Sequence, residues 1–132
     1  MENLKYNILV VEDERPLLEA IKTKLNISGF NTLSSRSVAE ALSYLTTENN
    51  ISVIWLDHYL LGQENGLDLV AQLKDEDSPW KDIPIFVVSN TASSDKVQSY
   101  IQLGVNQYYT KSDYRLDDII ADIKKFLNTQ VK

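Results

Sequence analysis

Apolar runs suited to buried strands occur at residues 8–11, 53–56 and 85–88. Weaker strand-like stretches lie at 31–34 and 107–110. Between them the hydrophobic period changes to that of a helix. Val38, Ala41, Leu42 and Leu45 fall at i, i+3, i+4 and i+7, as do Leu116, Ile119, Ile120 and Ile123. Leu17, Ile21 and Leu25 follow the same period in part, and so do Val97, Tyr100 and Ile101. Gly29 and Gly104 stand where helices would end, and Pro16 suits a first helical turn. The pattern predicts βα repeated five times. Short strands alternating with amphipathic helices call for a parallel sheet covered on both faces, joined by right-handed crossovers.

Composition adds limits to this picture. No low-complexity segment, linker or repeat divides the 132 residues, so one α/β domain over 1–132, with a core at about 6–128, is expected. Thirteen basic against nineteen acidic residues give a net charge of −6, and no basic run is present. Direct nucleic-acid binding and docking on anionic membranes are therefore not expected. Without cysteine there is no disulfide framework and no thiolate metal site. The first residues lack the apolar stretch of a signal peptide, and no run is long enough to span a bilayer; the cytoplasm is the expected location.

In such sheets ligands bind beyond the carboxyl ends of the strands. The predicted strands end in Glu12-Asp13-Glu14, in Asp57, in Ser89-Asn90-Thr91 and in Lys111. Any one of these is as readily a solvated loop residue or a helix cap. As a set they favour a site. Packed together, Glu12, Asp13 and Asp57 would raise one another's pKa unless a cation were present. Oxygen ligands with neither cysteine nor a histidine pair favour Mg²⁺. Three negative charges against Mg²⁺ and Lys111 sum to zero. A carboxylate can act as a nucleophile, and a phosphoryl group arriving there would meet a metal, an ammonium and a hydroxyl.

These segments, with Gly66 downstream of Asp57 and the stretch Leu103-Gly104-Val105-Asn106-Gln107-Tyr108-Tyr109-Thr110-Lys111, resemble the receiver domains of two-component response regulators. The resemblance covers about residues 6–128. It implies a flavodoxin-like (βα)5 fold with strand order 2-1-3-4-5. It also implies a Mg²⁺-dependent signalling switch, not a turnover enzyme, with Asp57 as phosphoryl acceptor. Asp13 would hold the metal directly and Glu12 through water, joined by Asp57 and the backbone carbonyl of Tyr59. Ser89 would turn its hydroxyl toward the phosphoryl group, Lys111 would pair with it, and Tyr108 would change rotamer with the switch. Tyr59 and Thr91 fall where the family tunes phosphoryl lifetime, and Asn90 is expected to alter that lifetime by narrowing or hydrogen-bonding the approach of water. The implied partners are a sensor histidine kinase or histidine phosphotransfer protein, met around residues 15–25, and a downstream protein target. The fourth helix, fifth strand and fifth helix would carry output or a homodimer contact.

The sequence departs from the family's commonest form in four places. One extra residue lies between Asp57 and Gly66, and Leu61 stands where proline is frequent. Ser112 follows Lys111 in place of a common proline, and Asn90 replaces a usually small residue. The departures leave a pseudo-receiver, an interaction module not switched by phosphate, as the alternative. Flavin, cobalamin and haloacid-phosphatase readings fail on their own motifs: the turn after the first strand is Glu12-Asp13-Glu14-Arg15-Pro16, and Tyr59 holds the position where a His or second Asp is required. His58, next to Asp57, should point away from it and is read as a neighbour of the loop, not a base. Trp55 is read as core, Trp80 as a loop anchor, and Asp75-Glu76-Asp77 as a solvated turn.

Overall fold

The computed structural model describes residues 6–48, 50–90 and 93–130. Its elements alternate as expected: β1 (Asn7–Val11), α1 (Arg15–Ile27), β2 (Asn31–Ser35), α2 (Val38–Thr47), β3 (Ile51–Leu56), α3 (Gly66–Leu73), β4 (Ile85–Ser89), α4 (Ser94–Leu103), β5 (Gln107–Thr110) and α5 (Leu116–Gln130). A short 3₁₀ turn, Lys111–Asp113, precedes α5. The strands form one parallel sheet in the order β2-β1-β3-β4-β5.

The pleat divides the core in two, because successive side chains leave a strand on opposite faces. Ile8, Val10, Val53, Trp55, Phe86, Val88 and Tyr109 face α1 and α5. Leu9, Val11, Ile54, Leu56, Ile85 and Val87 face α2, α3 and α4. All thirteen are buried, which is why the three central strands read as continuous apolar runs. Trp55 is core, and Trp80 packs at the edge of the second cluster.

The helix patterns need small corrections. In α1 the fully buried stripe is Leu18, Ile21 and Leu25, with Leu17 only partly covered. In α4 Tyr100 is buried while Ile101 is exposed, so only one member of the predicted stripe reaches the core. In both helices packing against the sheet, and not periodicity alone, selects which positions are covered. Helix starts carry local caps: Pro16 in the first turn of α1, Ser37 accepting from the Glu40 amide, and a reciprocal Asn65–Asp68 box at α3. Gly104 ends α4 with φ of 102°, the left-handed conformation that favours glycine. No described helix is long and apolar enough to cross a membrane.

Candidate functional site

Sheet register brings the candidate acids together. Val11 pairs with Leu56, so the residues that follow, Glu12 and Asp57, leave adjacent strands side by side. The Asp57 amide donates to the Val11 carbonyl (2.9 Å) and the Glu12 amide to the Ser35 carbonyl (3.0 Å), extending the pairing past the last ladder residues. Glu12 and Asp57 are 1% and 4% exposed, and Asp13 is half-buried. One carboxylate oxygen from each lies within 4.8 Å of the others.

Lys111 enters from the end of β5. Its ammonium lies 3.1 Å from Glu12 Oε1 and 3.5 Å from Asp57 Oδ2. No cis peptide occurs among the described residues, so Lys111 reaches both acids with a trans Lys111–Ser112 bond. The remaining carboxylate oxygens are engaged locally. Glu12 Oε2 accepts from the Glu14 amide (3.2 Å) and Asp57 Oδ1 from the His58 amide (2.8 Å).

The electrostatics of this cluster call for more positive charge than Lys111 supplies. Burial, then the Asp57 carboxylate, push Glu12 from 4.5 up to about 7, against the opposing pull of Lys111. Burial likewise raises Asp57, with Lys111 and the His58 amide acting the other way and Asp13 adding to the rise. Three converging carboxylates with oxygen donors only, two of them raised by burial, fit a hard divalent cation such as Mg²⁺ or Mn²⁺.

On the other face of the sheet lies a second group. Ser89, fully buried at the end of β4, shares its face with Tyr108 of β5, whose phenol is pushed up by burial and drawn back by the Ser89 hydroxyl. Tyr108 also packs against Tyr100 of α4, with ring centroids 5.6 Å apart. His58 falls on this face too. As expected it turns away from the Asp57 carboxylate, but it is no loose loop residue: it is 2% exposed, and its Nδ1 lies 2.6 Å from the Tyr100 hydroxyl. Burial, with Lys96 nearby, lowers its pKa, and burial raises that of Tyr100. This partnership escaped the sequence reading, because strand parity gives the face of His58 but not which helix residue meets it.

The loop from β3 to α3 closes by a hydrogen bond from the Gly66 amide to the His58 carbonyl (2.8 Å). A Cβ on Gly66 would strike the Tyr100 hydroxyl and come within 2.8 Å of the Asp57 carbonyl. Farther out in this loop, Leu61 bridges to Ser37 and Gly62 turns with φ of 89°. Tyr59 is 56% exposed at the rim. Asn90 is exposed and lines a cavity of about 330 Å³ with Glu14, Leu17, Lys111 and Tyr114. Thr91 lies outside the described residues.

Comparison with known proteins places this geometry. Residues 8–124 match the family model described as "Response regulator receiver domain". The transcriptional regulatory protein KdpE of Mycobacterium tuberculosis is 30% identical over 89% of this chain and 49% of its own length. The chain thus spans about half of that relative. Among solved structures, the phosphorylated cyanobacterial phytochrome response regulator RcpA superposes with a TM-score of 0.82 at 26% identity, covering 98% of each chain. The Mn²⁺-bound form of response regulator Rcp1 superposes with a TM-score of 0.80 at 25% identity, covering 96% of this chain and 97% of that one.

Proposed function

The chain belongs to the response regulator receiver domain family, and from that membership we propose that it is a phosphorylation-dependent switch with Asp57 as phosphoryl acceptor. The observation that carries the reading is the buried Asp57 carboxylate, grouped with Glu12 and Asp13 and faced at 3.5 Å by the Lys111 ammonium. The whole chain acts as one receiver unit with its core at about 6–128.

The donor is a phosphohistidine on a sensor kinase or phosphotransfer protein. An Asp57 carboxylate oxygen attacks phosphorus, the P–N bond breaks, and the imidazole leaves with the electron pair and takes a proton. The carboxylate is held for attack by the His58 amide on Oδ1. Lys111 neutralises charge on the transferred group, and the Ser89 hydroxyl turns toward it, leaving Tyr108 to reorient. Asp13 and Asp57 would hold Mg²⁺, with Glu12 acting through water and the Tyr59 carbonyl completing the protein ligands. When bound, the ion supplies charge neutralisation for the phosphoryl oxygens. Tyr59, Asn90 and Thr91 modulate how long the acyl phosphate survives. Output runs through the surface of α4, β5 and α5 to a downstream protein or a second copy of the chain. The domain works in the cytoplasm, catalyses only its own phosphorylation and dephosphorylation, and makes no direct contact with nucleic acid or membrane.

Incubation with a small phosphodonor and Mg²⁺, followed by intact mass, tests the reading. A gain of one phosphoryl group that vanishes in Asp57→Asn is expected. No gain in the wild-type chain favours an interaction module not switched by phosphate.

A further inference from the structure

Arg36, just past the end of β2, joins three loops at the rim of the acidic cluster. Its Nε and Nη2 both donate to the Asp13 carbonyl, at 3.0 and 2.8 Å. Its amide donates to Glu40 Oε1 in the first turn of α2 (2.8 Å), and its carbonyl accepts from the Leu61 amide in the β3–α3 loop (2.9 Å).

The bond to Asp13 matters because of what holds the same peptide from the other side. The Asp13–Glu14 peptide has its carbonyl fixed by the Arg36 fork and its N–H fixed by Glu12 Oε2 (3.2 Å). Glu12 is itself anchored through Oε1 to Lys111 (3.1 Å). A peptide gripped at both ends leaves the Asp13 side chain only its own rotamers to explore. From this we infer that Arg36 is a positioning residue for the metal site: it orders the Asp13 carboxylate for a divalent cation without touching the cation. It does so with a half-buried positive charge beside a cation site. That charge opposes binding, so what Arg36 adds to affinity must come from order and not from Coulomb attraction.

The distinction separates two variants. Arg36→Lys keeps the charge but loses the planar two-donor fork, and Mg²⁺ affinity is expected to fall about tenfold, the lower end for loss of a partner behind a metal ligand. Arg36→Met loses both fork and charge and is expected to fall less. Calorimetric Mg²⁺ titration without phosphodonor reads the affinity. Amide exchange at Glu14 in the metal-free protein reads the order directly and should quicken in both variants, with the urea midpoint as a folding control. Unchanged affinity and unchanged Glu14 exchange in both variants overturn the assignment. So does a larger loss in Arg36→Met than in Arg36→Lys.

The inference rests on the proposed metal site, and intact-mass phosphorylation of the same samples separates the two. Wild type that binds Mg²⁺ but takes no phosphoryl group sinks the switch reading and leaves the role of Arg36 standing. A phosphorylated wild type whose Arg36 variants bind Mg²⁺ unchanged does the reverse. A wild type that binds no Mg²⁺ overturns both.

Discussion

The imidazole of His58 and the phenol of Tyr100 meet at 2.6 Å, Nδ1 to hydroxyl, tying the residue after the phosphoryl-acceptor candidate to the middle of α4. Both side chains are buried, and water cannot replace either partner. Tyr100→Phe keeps the ring and removes the bond, stranding a buried imidazole nitrogen. A loss of about 1–3 kcal/mol in urea unfolding is expected. A variant as stable as wild type would show that the bond contributes nothing net.

Gly66 explains the cramped approach of that hydroxyl. Gly66→Ala places a Cβ against the Tyr100 hydroxyl and 2.8 Å from the Asp57 carbonyl. It is expected to destabilise by about 1–3 kcal/mol. In the Tyr100→Phe background part of the collision is gone, so the alanine should be better tolerated there. Equal costs in the two backgrounds would place the strain on the backbone of Asp57 and His58.

The metal-free protein should lose stability as pH rises through the neutral range. Glu12 binds its proton more tightly folded, at about 7, than unfolded, near 4.5, and Asp57 shifts in the same direction. The folded state therefore holds more protons between these values, and stability falls as they ionise. For Glu12 alone the span is about 3 kcal/mol between pH 4.5 and 8. Urea unfolding in chelator across that range should show the slope, Glu12→Gln should flatten it, and saturating Mg²⁺ should restore stability at pH 8. A flat profile in chelator contradicts the raised pKa values.

Lys111→Met removes the cation that faces Glu12 and Asp57. At pH 8 in chelator the loss should be about 3 kcal/mol, because two buried carboxylates are left without it. At pH 5 the loss should shrink, since Glu12, raised to about 7, is then neutral. Thermal melts at the two pH values, with and without Mg²⁺, provide the comparison. A pH-independent loss would mean that Lys111 acts by packing its alkyl stem.

Much of this was legible in the residues. Continuous runs such as Ile85 to Val88 mark strands buried on both faces, and Gly104 and Pro16 mark helix boundaries; these signals are local and survive folding. The grouping of Glu12, Asp13 and Asp57 was also readable, because strand ends converge in any parallel sheet. What the sequence could not disclose were partnerships set by rotation and reach. Helix periodicity admits Leu17 or Leu18 to the buried stripe of α1, and only packing selects Leu18. Nothing in an isolated Arg36 announces the Asp13 carbonyl twenty-three residues away. The trans Lys111–Ser112 bond likewise leaves the reach of Lys111 intact, because the long side chain, not the peptide, spans the distance.

The pleat that splits the core also sorts the chemistry beyond it. Asp57 and Lys111 continue the parity of Trp55 and Tyr109 toward α1 and α5, whereas His58, Ser89 and Tyr108 continue that of Leu56 and Val87 toward α4. The sheet is thus a partition wall, with ions on one side of its carboxyl edge and rings and hydroxyls on the other. Libraries at 58 and 100 can vary the aromatic chamber while the charged chamber keeps its wiring, and the Asp57–His58 peptide is a doorway between them.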